Sequence, residues 1–421
     1  MTDTGNLLRI EPQPWMVEPA TLAVLEALSA GGAQARFVGG SVRDALLGQP
    51  TPGSSPRTDI DIATPAPPER VVELLEKRGI KVVPTGLAHG TVTAIAGDPP
   101  RHFEITTLRR DVETYGRRAR VAFDADWAAD AARRDLTINA VFLDPDGTVR
   151  DPVGGVADLR ARRVRFVGDP ATRIAEDVLR ILRYYRFEAR FGAGFGDPPA
   201  RAACRALARL LPNLSAERVA QELMKLLEIS DPVAALRMMQ EDGVLLVILP
   251  KARRLDRLRH MIAIEPEPDP VRRLAALIEV DGAGATALAE RLHFSNAWCD
   301  RLHGLAPPWG IDPTADMAAH RRALYRLGAE RYRDIALLLV AEGAMSRDRL
   351  IELLALARAW TPPAFPLAGR DVTALGIPPG PRIGRLLDAM RAWWEAGDFT
   401  ADRAACLARL KELAKPSDRP A

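Results

Sequence analysis

Two aspartates stand one residue apart in TDIDIAT (58–64), and a third carboxylate, Glu104, sits in the strand-like run HFEITTL. Side chains two apart on a strand point to the same side, so Asp59 and Asp61 converge while Ile60 and Ile62 face a core. Like charges this close raise one another's pKa unless a cation lies between them. A divalent ion with oxygen ligands, Mg²⁺ by preference, relieves that repulsion. With Glu104 aimed at the same ion from a neighbouring strand, the set suits phosphoryl or nucleotidyl transfer, in which metals clamp the attacking and leaving oxygens. For the DxD alone, a solvated acidic face on an edge strand explains the residues equally well.

A second group lies just upstream. RFVGGSVRDALLG reads as strand, glycine turn and helix. Gly39 and Gly40 let backbone N–H groups approach an anion at the helix amino end, and Arg43, one turn on, is placed to hold a phosphate. No GK[ST] follows, so this is not a Walker loop. A third group is EDVLRILRYYRF (176–187), preceded by Asp169-Pro170 as N-cap and first helical residue. On one helix Asp177 and Arg180 are neighbours at i,i+3. A carboxylate accepts and a guanidinium donates, which matches the amino group and bare ring nitrogen of cytosine and adenine and repels guanine and uracil. Arg183 and Arg186 extend a winding basic stripe, suited to a triphosphate or to salt bridges on a solvated face.

The elements that must position these groups follow from patterning. Residues 1–160 alternate short strand runs (ARFVGG, TDIDIAT, HFEITTL, VFLDP) with helical stretches, and 48–57 is turn-rich. Beyond 161 strand signals nearly vanish and Ala/Leu/Arg amphipathic patterns continue, interrupted by prolines near 197, 266, 307 and 362. The 421 residues, 47% of them apolar, with a net charge of +3, describe a globular chain of several domains that permits an anionic partner without requiring one. The amino-terminal stretch lacks a signal-peptide pattern, and Val244–Leu249 is a core segment rather than a membrane span. Cys204, Cys299 and Cys406 are far apart with no metal-ligand spacing, as expected of reduced thiols in a cytoplasmic protein.

The order of these motifs resembles the class II tRNA nucleotidyltransferases, the CCA-adding enzymes and their bacterial poly(A) polymerase relatives. GGSVRDALLG with TDIDIAT is similar to their first motif, RRDLTINA (133–140) to the second and DPVGGVADL (151–159) to the third. EDVLRILRYYRF is similar to the fourth and ERVAQELMKLLE (217–228) to the fifth. The resemblance implies an α+β chain: a polymerase-β-like nucleotidyltransferase head with a small mixed sheet (1–160), then an all-α neck (161–228), body (229–360) and tail (361–421). It also implies catalytic Asp59, Asp61 and Glu104 with Mg²⁺ on the two aspartates, and nucleotide contacts from Gly40, Arg43, Arg134, Asp177, Arg180, Arg183 and Arg186. Asp135 and Asn139 are explained equally well as structural hydrogen-bonding groups, Gly154 and Gly155 look like a head–neck hinge, and Glu217 and Arg218 brace the fourth motif.

TTLRRDVETYGRRARVAF (106–123) resembles the loop that CCA-adding enzymes use in switching from C to A, and poly(A) polymerase signatures are missing. The implied activity is therefore template-independent CCA addition to the tRNA 3′ acceptor end from CTP and ATP. A poly(A) polymerase, a CC-only or A-only enzyme and a non-catalytic tRNA-binding module are the alternatives. In the tail, the Gly-Pro turn before a new helix, with Arg382 and Arg385, resembles a grip on the outer arms of tRNA. From the residues alone, a helical hairpin with Trp393 and Trp394 in its core explains that stretch.

Overall fold

The computed structural model describes residues 8–48, 60–87, 90–115, 118–123 and 125–415. The chain forms two compact units, Met1–Ala252 and Arg253–Ala421. The first contains all the described strands: β1 (Arg36–Val38), β2 (Ile60–Thr64), β3 (Lys81–Gly86), β4 (Thr91–Ala96), β5 (Arg101–Thr107), β6 (Arg109–Tyr115), β7 (Arg118–Phe123), β8 (Phe142–Leu143) and β9 (Val149–Arg150). Seven of them form one mixed sheet in the order β3-β4-β5-β2-β1-β8-β9, and β6 and β7 make a separate antiparallel hairpin from the 106–123 stretch. Among the described residues the last strand ends at Arg150 and the chain after it is helical or irregular, as the fading of strand signals beyond 160 predicts.

Alternation in IDIAT decides how the sheet is used. Ile60 and Ile62 are buried in a core with Trp15, Leu28, Phe37, Val71, Phe103 and Ile105, which packs helices Pro19–Ser29 and Pro68–Glu76 onto one face. The opposite face carries Val38, Ala63 and Phe142, covered by Leu108, Ala131, Ala140 and Val167. Asp61 shares this second face with Ala63, because residues two apart on a strand point the same way.

Pairing of β2 with β5 is the one parallel contact of the large sheet among the described residues, and it sets Asp61 directly opposite Glu104. A parallel pair needs a crossover, supplied here by the helix Pro68–Glu76 and the β3–β4 hairpin. The expectation that a neighbouring strand brings Glu104 beside the DxD strand is met at Asp61. Asp59 itself lies outside the described residues, as do 49–57 of the turn-rich stretch before it.

One expected element differs. Asp169 does cap a helix, its Oδ2 accepting the Thr172 amide at 2.7 Å, with Pro170 at the first helical position. That helix, Pro170–Glu176, stops before Asp177, and a second helix, Arg180–Phe191, begins at the other member of the expected pair. Asp177 between them is extended, at φ −152° and ψ 107°. Its Oδ1 accepts the Leu179 amide at 3.2 Å and its carbonyl accepts the Arg180 amide at 3.0 Å. Aspartate offers its own backbone this alternative to helix continuation, and here the turn wins.

The third-motif glycines are tightly built in. Gly154 adopts φ +78°, and a Cβ on Gly155 would lie 2.2 Å from the Thr137 carbonyl oxygen. Asp151 accepts the Gly155 and Val156 amides, and buried Asp158 accepts from Thr137, Arg163 and Arg165. The steric reason for glycine at 155 is thus close approach of two backbones, whatever motion the segment supports.

The second unit is helical. One of its cores gathers Leu367, Val372, Met390, Trp394, Cys406 and Leu410. Trp394 is buried, whereas its neighbour Trp393 is partly exposed, so only one of the two expected core tryptophans is in the core. No helix among the described residues is long and apolar enough to cross a membrane. All three cysteines are free, with Cys204 and Cys406 buried.

Candidate nucleotidyl-transfer site

A cavity of about 520 Å³ in the first unit collects most of the expected residues from five separate segments. Gly39, Gly40 and Arg43 come from the first helix turn after β1, Asp61 from β2, and Arg133, Arg134, Asp135 and Asn139 from the RRDLTINA segment. Asp177, Leu179, Arg180, Arg183, Arg186 and Phe187 come from the helix junction and the helix after it, and Arg218 from helix Ala216–Leu227. Glu104 is not in the lining, although it is exposed beside Asp61 across the β2–β5 pair.

Gly39 is the reason Asp61 can stand where it does. The glycine has φ +79°, and a Cβ there would lie 2.5 Å from Asp61 Oδ2. The strand-to-helix turn is therefore closed down onto the carboxylate, and only a residue without a side chain leaves it room. Gly40 is under no such constraint, since its Cβ would meet nothing nearer than Arg43 Nη2 at 3.6 Å.

Asp61 and Glu104 lie on adjacent strands about 4.8 Å apart and point to one side, so their oxygens suit a hard, oxygen-liganded cation. Among the described residues no group of three or more His, Cys, Asp or Glu side chains is assembled for a metal ion. The expected third donor is Asp59, outside those residues. What is described fits two members of a divalent-metal set.

Every arginine of the cavity wall is paired with a carboxylate. Arg183 meets Asp135 through Nε at 2.7 Å and Nη2 at 2.6 Å, and Arg186 Nε donates to Glu222 at 2.6 Å. Arg180 pairs with Glu176, and Arg218 Nη2 donates to Asp177 Oδ2 at 2.6 Å. Arg133 and Arg134 share the buried Asp130. Arg43 is itself buried: two of its nitrogens hold Asp44, Nη1 donates to Asn139 Oδ1 at 2.8 Å, and the guanidinium lies 4.1 Å from the Phe191 ring centre.

These pairings shift the protonation equilibria. Burial alone pushes the Asp135 carboxyl up, but the charge of Arg183 and its hydrogen bonds outweigh it and hold the group below the usual range. The Arg183 guanidinium is correspondingly pushed up, first by the charge of Asp135. Arg43 is pulled down by burial, only partly offset by Asp44.

Eight of the twelve expected site residues therefore line one cavity: Asp61, Gly40, Arg43, Arg134, Asp177, Arg180, Arg183 and Arg186. Asn139 serves Arg43, as a structural role predicts, and Asp135 anchors Arg183. Arg218 braces Asp177 as expected, yet also faces the cavity. Arg133 and Phe187 were not anticipated. The sequence signal available for Arg133 was its i,i+3 spacing from Asp130, which fixes it beside Arg134. Arg382 and Arg385 belong to the second unit, exposed on the first turns of helix Pro381–Ala396, where Arg382 Nη2 donates to the Ala414 carbonyl at 3.1 Å. A cavity of similar volume in that unit, about 550 Å³ and bordered by Arg254, Trp309 and Glu342, contains none of the expected residues.

A mixed sheet with paired carboxylates on one face, followed by helices that present a basic wall, defines a nucleotidyltransferase, and the comparisons bear this out. Residues 35–165 match the family model described as the poly A polymerase head domain, and 197–255 match the probable RNA and SrmB-binding site of polymerase A. A Danio rerio protein named mitochondrial CCA tRNA nucleotidyltransferase 1 is 34% identical, with 90% of this chain and 87% of the relative covered. A Levilactobacillus brevis CCA-adding enzyme is 30% identical over 92% of this chain and 96% of its own length. The crystal structure of the Bacillus stearothermophilus CCA-adding enzyme in complex with CTP superposes with a TM-score of 0.78 at 29% identity, covering 94% of this chain and 98% of that one. The chain belongs to the CCA tRNA nucleotidyltransferase family.

Proposed function

We propose that this protein adds C, C and A in turn to the 3′ end of tRNA, taking CTP and ATP as substrates and releasing pyrophosphate without a nucleic-acid template. The observation that carries the reading is the meeting, in one cavity, of the β2 carboxylate with the Asp177/Arg180 pair and a wall of arginines. Relatives covered over most of their length are named for this activity.

In this reading Asp59 and Asp61, with Glu104 beside them, hold Mg²⁺. When bound there, the ion neutralises the charge that develops at the α-phosphate and on the leaving pyrophosphate. Gly40 offers a backbone amide, and Arg43, Arg134, Arg183 and Arg186 take the triphosphate and sugar. Because each arginine already has a carboxylate partner, the incoming phosphates share or replace those contacts. Asp177 accepts the amino group of cytosine or adenine and Arg180 donates to the adjacent ring nitrogen. A guanine or uracil would set acceptor against acceptor and donor against donor, and sites built this way reject a wrong partner by about 10⁴-fold. Arg218 holds the Asp177 carboxylate in the reading position. We assign residues 1–160 to the head, 161–228 to the neck, 229–360 to the body and 361–421 to the tail. Arg382 and Arg385 contact the outer arms of tRNA, and the reaction is cytoplasmic.

The test uses purified protein, Mg²⁺ and tRNAs ending at the discriminator base, C or CC, each with single nucleotides or CTP plus ATP, followed by 3′-end sequencing. All three substrates should finish at CCA with GTP and UTP inert, and Asp61→Ala should abolish extension. Long A tracts, or arrest at CC with ATP present, would overturn full CCA addition in favour of a poly(A) or split-specificity enzyme. Near-normal extension by Asp61→Ala would overturn the metal assignment.

A further inference from the structure

Phe195 is 80% exposed, the most solvent-exposed large apolar side chain described. It stands at the tip of the loop FGAGFGD (191–197), between helices Arg180–Phe191 and Pro198–Leu207. Isolated apolar side chains on a surface are ordinary. Ile351, at 65%, is one of them, on a regular helix. The Phe195 loop is different because it is held from inside.

Glu188 is buried, and its Oε1 accepts the amides of Gly194 and Gly196, each at 3.2 Å. Tyr184 Oη accepts the Asp197 amide at 2.8 Å. The Glu188 carboxylate also fills the space of a Cβ on Gly192, which would come within 2.2 Å of it, and Gly194 and Gly196 adopt φ +87° and +70°. Three glycines and a desolvated carboxylate thus fix a loop whose one large side chain is turned to solvent. Burying a carboxylate is unfavourable unless it is well bonded, and here burial pushes the Glu188 carboxyl up. A rigid, outward-facing aromatic is ordered in advance of any partner, which lowers the entropy lost on contact.

The surroundings indicate the partner. Arg162, itself in a left-handed turn at φ 51°, donates through Nη2 to the Gly192 carbonyl at 2.8 Å. Arg190, in the last turn of the preceding helix and nearly half exposed, lies over the buried Phe191 ring at 5.1 Å with Nη2 3.8 Å from Asp44 Oδ2. An exposed aromatic ring on a loop held by an arginine suits single-stranded nucleic acid, in which bases stack and phosphates meet the cations. We propose that Phe195 is a stacking platform for an unpaired base of the RNA substrate, with Arg162, tied to the same loop at Gly192, for a neighbouring phosphate. The proposal rests on the reading of the chain as a tRNA-extending enzyme and adds to it a contact outside the nucleotide cavity.

The experiment compares the full-length wild type with Phe195→Ala and Phe195→Trp, using labelled tRNA ending in CC. It measures tRNA affinity without nucleotide, KM for tRNA and for ATP, kcat, and sedimentation mass. Phe195→Ala should weaken tRNA binding and raise KM for tRNA about 5- to 100-fold. KM for ATP, kcat and thermal unfolding should stay unchanged, and Phe195→Trp should retain wild-type affinity. Equal tRNA affinity for wild type and Phe195→Ala, with the wild type completing CCA, overturns this proposal alone. A lower sedimentation mass for Phe195→Ala with unaltered tRNA affinity overturns it in favour of self-association. A wild type that extends no tRNA overturns the parent reading and this one with it.

Discussion

Gly39→Ala tests how the site is built. The position has φ +79° and ψ −137°, a region in which an L-residue is strained by about 1–3 kcal/mol. The new methyl would also start 2.5 Å from Asp61 Oδ2, so the carboxylate must retreat by roughly 1 Å, a displacement that lowers rates on the order of 100-fold. The assay is single-turnover incorporation of one C into tRNA lacking CCA, with thermal unfolding measured in parallel. The expected outcome is a folded protein, somewhat less stable, whose transfer rate falls about 100-fold. Gly40→Ala is the control, since its methyl meets only Arg43 Nη2 at 3.6 Å and should leave the fold intact. A Gly39→Ala enzyme within about threefold of wild type would refute the idea that this turn sets the carboxylate.

Other outcomes follow from the same geometry. Arg218→Ala removes the 2.6 Å contact to Asp177 Oδ2, and C/A over G/U discrimination should fall roughly tenfold, read by sequencing misincorporated ends. Gly155→Ala drives a methyl into the Thr137 carbonyl, 2.2 Å away, and should destabilise the fold by about 1–3 kcal/mol in denaturant titrations. Asp135 has a folded pKa below its unfolded value, so its contribution to stability is complete above about pH 4 and is lost as pH falls towards the folded value. Asp135→Asn should therefore lower stability at pH 7 and flatten this acid limb, and an unchanged pH profile would count against the Arg183 pairing.

Much of this was legible in sequence because it depends on short-range periodicity. The two-residue alternation of IDIAT separates Ile60 and Ile62 from Asp61, and the structure keeps that separation across the two faces of the sheet. The Asp177 break was not legible, since the i,i+3 spacing of Asp177, Arg180 and Arg183 reads as one helix. What interrupts it is a local turn together with Arg218, 41 residues away. The pairing of the arginine stripe was equally hidden. A basic residue at helical spacing looks the same whether it faces water or a partner such as Glu222, 36 residues from Arg186, or Asp135, 48 from Arg183. Those partners are set by the tertiary packing of three segments, which no local pattern encodes.

The arginine wall has a consequence for the interval between additions. Seven arginines line the cavity, and Asp44, Asp61, Asp130, Asp135, Asp177, Glu176 and Glu222 supply an equal number of carboxylates in or directly behind it. An emptied basic pocket would ordinarily be pushed apart by its own repulsion or retain whichever anion it last held. Under the proposed function these carboxylates serve as placeholders: when pyrophosphate departs, each guanidinium has a partner already in position. On that reading, an enzyme that empties and refills three times on one substrate keeps the charges of its wall balanced at every stage.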